Sequence, residues 1–175
     1  MAKKASATKS LGTRNNVPIN IGISEKNAQE VADRLQVVLS DEQVLYAKTR
    51  NYHWNVEGTS FLEYHKLFET LYTELAESID EIAERIRKIG HFALGRLEDF
   101  LKQARLLEGE YTNESRTQLQ NLLDDHETII RELRKDIDDI QDKFKDAGTA
   151  DFLTGLLEDH ERWAWFLRSY LGGKK

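Results

Sequence analysis

SFLEYHKLFETLYTELAESIDEIAERIRKIG, residues 60–90, is the stretch that decides the fold. Leu67, Leu71, Leu75, Ile79, Ile82, Ile86 and Ile89 recur at intervals of three and four, the spacing of one face of an α-helix. Ser60 and Glu63 form an S-x-x-E pattern, so a capping box is expected at its start. Gly90 marks its end. A second helix to about Ile89 is therefore predicted.

Working towards the N-terminus, Ser24 is expected to cap a first helix reaching about Tyr52, with Val31, Leu35, Val38 and Leu45 on one stripe. The segment from Asn55 to Thr59, with Gly58 inside it, reads as the loop between the two helices. Towards the C-terminus, Gly90 and Gly95 bracket a connector, and Leu97 to Ala104 reads as a short helix. Thr112 is expected to start a third long helix carrying Leu119, Leu122, Ile129, Leu133, Ile137 and Ile140. Gly148 and Thr149 are expected to break and restart the chain. The last helix should end at Leu171, with Gly172 and Gly173 offering a left-handed cap. No repeat and no useful strand pattern is found. The predicted fold class is all-α: a four-helix bundle with a short extra helix between helices two and three.

The chain has 175 residues, room for one domain, and no apolar run approaches the 18 residues of a membrane span. The lack of cysteine excludes disulfides, zinc knuckles, iron–sulfur clusters and thiol chemistry. It also fits a reducing compartment, and a cytoplasmic location is expected, with or without association with the nucleoid. The net charge of −6 conceals a division. Residues 1–23 carry Lys3, Lys4, Lys9 and Arg14 and no acid; the remaining 21 basic and 31 acidic residues give the body −10. Three parts are expected: a flexible basic arm over 1–23, the bundle over 24–173 and a short basic tail at 174–175.

The residues suited to chemistry gather on the second helix and just before it. His65/Glu69 and Asp80/Glu84 are both i, i+4 pairs, and His53 lies shortly upstream. Imidazoles and carboxylates without sulfur suit iron or manganese, and zinc less decisively. Glu69 and Asp80 are 11 residues apart, about 20° from three full turns, so the two pairs share a stripe. Their centres, however, are separated by roughly 22 Å along a straight helix. One chain cannot bring both to one ion. Two such helices packed antiparallel about a two-fold axis near Glu74 and Leu75 would do so twice, making oligomerisation part of the site. The alternative, Glu-x-x-His pairs inside one bundle, lacks its ligands: Arg50, Leu62, Lys88, Leu123 and Leu157 stand three before the histidines. His91, His126 and His160 lack comparable partners and are assigned structural or exposed places. Trp163, Trp165 and Phe166 are assigned to core or interface packing.

The run Asn51-Tyr52-His53-Trp54-Asn55-Val56-Glu57-Gly58, followed by Phe61, His65, Phe68 and Glu69 and then Asp80-Glu81-Ile82-Ala83-Glu84-Arg85, closely resembles the signature of the Dps family. These are the DNA-binding proteins from starved cells, miniferritins of the ferritin-like superfamily. The resemblance extends from about residue 24 through Thr149-Ala150-Asp151-Phe152-Leu153 and Trp165-Phe166-Leu167. It implies a hollow homo-dodecamer of ferritin-like bundles, built from two-fold dimers. It further implies a ferroxidase that oxidises Fe(II), preferably with hydrogen peroxide over oxygen, stores ferric oxide and protects DNA from oxidative damage. The family's iron ligands fall on His53, His65, Glu69, Asp80 and Glu84, with the last two facing the first three of a neighbouring subunit. Many members have aspartate where this chain has Glu69. Trp54, beside a ligand, is a candidate electron donor, with interface packing as its other reading. Asp146 and Asp151 correspond to the region of the family's iron-entry pores.

Lys3, Lys4, Lys9 and Arg14 are candidate DNA contacts, since some members bind through lysine-rich arms. One arm would bind weakly and lose affinity steeply with salt, whereas twelve would act together. The acidic body opposes binding, and an arm without a partner is the other reading. Against the iron-storing cage stand two alternatives: a nucleoid-binding structural protein with an incidental metal site, and a purely structural helical oligomer.

Overall fold

The computed structural model describes residues 19–172. Its helices are α1 (Glu25–Asn55), α2 (Phe61–Lys88), α3 (Leu97–Gln103), α4 (Ser115–Asp142) and α5 (Ala147–Leu171). Ser24 caps α1 as expected, its hydroxyl accepting from the Asn27 amide at 3.2 Å. The four long helices form two antiparallel pairs, α1 with α2 and α4 with α5. α1 is the hub, touching α3 and α4 as well, whereas α2 and α5 barely meet. Among the described residues there is no strand, only an isolated bridge between Glu57 and Glu114 that ties the α1–α2 loop to the start of α4.

The apolar stripe of α2 turns inward: Phe68, Leu71, Ile82 and Ile86 are fully or almost fully buried, against Leu35, Leu39 and Leu45 of α1 and Leu119, Leu122, Ile129 and Leu133 of α4. Each such side chain contributes roughly 1.5–3 kcal/mol through burial. An ionic network closes one end of the bundle. Arg105, just after α3, binds Asp41 of α1 at 2.7 Å and Asp136 of α4 at 3.4 Å, and Arg34 joins Asp136 to Asp139 at 2.6 Å each.

Four boundary expectations are corrected. The Ser60/Glu63 capping box does not form: Ser60 has a non-extended backbone (φ −100, ψ 25) and makes no side-chain cap. Glu63 is instead engaged by Tyr170 of α5. Helix α4 begins three residues after Thr112, because the Glu114 carboxylate accepts from the amides of Arg116 and Thr117 while Thr112 accepts from Glu114 itself. The break before α5 lies at Lys145, whose φ is 60, and Asp146; Gly148 and Thr149 are already inside the helix. Gly172 has φ −73, so the helix does not end there in a left-handed cap.

Gly90 does hold a left-handed conformation, with φ +96, and the Cδ1 of Ile19 occupies the space its Cβ would need. The absent side chain is what seats Ile19 on the α2–α3 connector. His91 beside it is buried with neither ring nitrogen hydrogen-bonded among the described residues, and burial holds its pKa below the usual histidine range against the pull of Asp33 and Glu25. Residues 1–18, including the predicted contacts Lys3, Lys4, Lys9 and Arg14, and the tail from Gly173 lie outside the described residues.

Candidate metal centre

His53 stands in the last turn of α1 and His65 near the start of α2, and the short loop folds the two rings together. Their centroids are 3.8 Å apart and their planes 20° from parallel. Each Nδ1 lies 2.8 Å from the backbone carbonyl of the other residue. A carbonyl only accepts, so both Nδ1 atoms carry hydrogen, and in the neutral ring each Nε2 then keeps its lone pair. Backbone donation of this kind fixes the tautomer of a metal-binding histidine. The arrangement also satisfies the carbonyl of His53, one of those left without a partner at a helix C-terminus.

Glu69 follows His65 by one turn and is partly exposed, 3.6 Å from Lys66. Asp80 and Glu84 are exposed at the far end of α2, with Glu84 held by Lys88 at 3.0 Å. The structure thus brings His53 and His65 together and leaves Asp80 and Glu84 apart from them. Among the described residues of the isolated chain, no group of three or more such side chains is disposed to hold a metal ion. The reason is distance along α2: Asp80 and Glu84 lie 15 and 19 residues beyond His65 on one helix. The donor types suit iron, but closure on one ion requires carboxylates from elsewhere.

Aromatic residues frame the histidines. The edge of Tyr72 meets the His53 ring at 5.2 Å. Arg50 places its guanidinium 5.1 Å from the Trp54 ring and 5.3 Å from that of Tyr72. Trp54 is 62% exposed in the single chain, and Trp165 is likewise exposed, whereas Trp163 is core. Arg50 and Tyr72 were not anticipated as neighbours of the site, although Arg50 precedes His53 by one turn and Tyr72 follows His65 by two. Of the candidate pore residues, Asp151 is exposed. Asp146 is 3% exposed, caps α5 through the Thr149 amide at 3.0 Å and binds Arg85 at 3.2 Å, so it does not face open solvent in the chain.

His126 and His160 take structural places, as one of the two expected readings has it, but they have partners that the sequence did not reveal. Both are buried, with Nδ1 atoms 2.8 Å apart, and His160 Nε2 lies 2.8 Å from Glu42 Oε1. Glu42 is 118 residues from His160 in sequence, so no local motif signals the cluster.

Residues 32–174 match the ferritin-like domain family. The chain is 35% identical over 143 residues to DNA protection during starvation protein 2 of Bacillus anthracis, an alignment covering 82% of this chain and 97% of that one. The chain belongs to the Dps family. A low temperature-induced protein of Nostoc sp. shares 46% identity over 157 residues, 89% of this chain and 88% of its own length. The crystal structure of the Dps protein from Vibrio cholerae, described as a ferritin-like diiron-carboxylate protein, superposes with a TM-score of 0.83 at 30% identity over 90% of this chain and 99% of that one. DpsC from Streptomyces coelicolor gives 0.86 at 27% identity over 91% and 93%. Membership in the Dps family accounts for five helices with a short one in the middle, the element order seen here.

Proposed function

We propose that this Dps-family chain is an iron-storing, DNA-protecting protein that oxidises Fe(II) at sites shared between two subunits. The observation that carries the reading is the reciprocal Nδ1-to-carbonyl bonding of His53 and His65, which reserves both Nε2 lone pairs. Family membership supplies the rest. His53, His65 and Glu69 of one subunit bind the ferrous substrate together with Asp80 and Glu84 presented by its neighbour. Imidazoles suit the ferrous ion and carboxylates stabilise the ferric product. Hydrogen peroxide, used in preference to oxygen, takes one electron from each of two ferrous ions and, with two protons, leaves as two waters. No hydroxyl radical is released on that route. Trp54, exposed and next to His53 in sequence, is the candidate electron donor for an unpaired oxidising equivalent. The ferric product is stored as oxide within a dodecamer built from two-fold dimers, and Asp151 lies on the route of entry.

Peroxide-driven ferrous oxidation, followed by the absorbance of the ferric product, tests the reading. It should be lost in His53→Ala and Asp80→Ala while the assembly persists by light scattering. An unchanged rate in both variants would sink it. DNA contact through Lys3, Lys4, Lys9 and Arg14 is a separate matter. A gel shift of the full chain against one lacking residues 1–23, at two salt concentrations, decides between a nucleic-acid arm and an arm without a partner.

A further inference from the structure

The outer stripe of α2 holds one more matched couple than the iron site uses. Tyr72 lies seven residues after His65, and Glu77 lies seven before Glu84, in each case about 20° from two full turns. Both therefore share the stripe of the four candidate ligands on α2. A two-fold axis at Glu74 and Leu75 sets His65 opposite Glu84 of the partner subunit, and Glu69 opposite the partner's Asp80. The same axis sets Tyr72 opposite the partner's Glu77.

Within the chain, a cation lies against Tyr72. Arg50 of α1 is half-buried, with its guanidinium 5.3 Å from the Tyr72 ring, 5.1 Å from that of Trp54 and 5.5 Å from that of Tyr46. Its Nη1 donates to the Tyr46 hydroxyl at 2.8 Å. Its Nε is buried without a partner, and no carboxylate among the described residues pairs with it. Aromatic faces attract a cation but leave its charge in place. Glu77 is the complementary case, an exposed carboxylate with no cation partner among the described residues. Its neighbours on α2 are engaged: Glu74 binds Arg162 at 2.6 Å, and Glu84 binds Lys88 at 3.0 Å.

We propose that Arg50 pairs with Glu77 of the partner subunit, and that the two such pairs of a dimer fix the register of α2 against its copy. The pair takes its axis from the shared iron site and rests on that site for its register. Charge selects a second copy as the occupant. α2 turns Glu77, Asp80, Glu81 and Glu84 outward, and two such helices side by side repel each other unless a cation stands between them. Arg50 is placed to be that cation. A slip of one turn would carry the partner's Asp80 and the partner's Glu84 about 5.4 Å away from the histidines. An ion pair held off from water is best suited to setting register. Arg50 holds no iron; it is a positioning residue.

Charge reversal in the full-length protein tests the pair. Arg50→Glu and Glu77→Arg should each raise the dissociation constant of the dimer about 100-fold, roughly tenfold for each of the two pairs lost. Sedimentation velocity over a dilution series, without iron, reads the change. Arg50→Glu combined with Glu77→Arg should recover most of it. Unchanged dissociation in both single variants overturns the proposal, and so does a combined variant no better than either single one. Should a reversed variant fail to fold by circular dichroism, Arg50→Lys takes its place. Zero-length carbodiimide coupling of the new amine should then give a dimer band whose linked peptides carry positions 50 and 77. A dimer band without that link overturns the pair. Ferrous oxidation with peroxide, at concentrations where every variant is dimeric, reads the register: it should fall in the single variants and return in the combined one. Equal rates in all of them, beside an active wild type, overturn the register role. A wild type that does not oxidise Fe(II) overturns the iron site instead, and the dissociation measurements still decide the pair.

Discussion

The molecule holds two histidine pairs that bridge two helices each, yet they are chemically opposite. His53 and His65 lie face to face where the short loop joins α1 to α2 and turn Nδ1 towards backbone carbonyls. His126 and His160 lie edge to edge in the core and turn Nδ1 towards each other. In the first pair the backbone takes the hydrogens, and two lone pairs are left for something outside the chain. In the second the Nδ1 atoms are spent on each other inside the core, and Glu42 takes the other nitrogen of His160. Availability, not residue type, separates a candidate ligand from a residue of the core.

The largest expected effect follows from breaking the first pair. His65→Ala should slow peroxide-driven ferrous oxidation by at least about 100-fold, since ligand loss exceeds the 10–100-fold typical of groups that merely orient ligands. His126→Ala should leave that rate within about twofold; a comparable loss in both would erase the distinction. Breaking the second pair should show in stability instead. Glu42→Ala removes the carboxylate from His160 at the heart of the bundle and should cost about 3 kcal/mol or more in denaturant unfolding. Glu69→Ala, at a partly exposed position, should leave the unfolding midpoint nearly unchanged.

A pH series sharpens the contrast further. His126 binds its proton less readily folded than unfolded, so below its ordinary range the unfolded chain holds more protons. Stability therefore is complete above about pH 6.5 and is lost as pH falls below it, by at most about 1.4 kcal/mol per pH unit per proton. Unfolding midpoints from pH 7.5 to 5 check the sign, and His126→Asn should flatten the curve. The smallest effect belongs to Lys88→Ala. It frees the exposed Glu84 carboxylate from a surface ion pair and should change ferrous binding, followed by calorimetry, by no more than about twofold.

The sequence made the architecture legible because helical spacing and end signals are local. Ser24 and the stripe of α2 were read from a few neighbouring residues, and the structure agrees. The errors at Ser60, Thr112, Gly148 and Gly172 share a cause: a side chain or backbone torsion from a competing neighbour settled the boundary. Glu63, for example, is engaged by Tyr170 across the bundle. At the candidate metal centre, His53 and His65 could be singled out by spacing, but their tautomers could not, because these depend on carbonyls 12 residues away. The cluster of Glu42, His160 and His126 was invisible for a stronger reason. Its members come from three helices whose juxtaposition exists only once the bundle has closed.

Arg85 carries a consequence for how a cation is received. Next to Glu84 on α2, it reaches the other way, to Thr149 Oγ1 at 2.8 Å and Asp146 Oδ1 at 3.2 Å at the start of α5. The helix that bears Asp80 and Glu84 is thereby clamped against sliding along its own axis. On the proposed reading, an ion arriving at Asp80 and Glu84 need not freeze a segment of backbone; only the rotamers of two acidic side chains remain to be selected. The ordering cost has already been met when the chain folded.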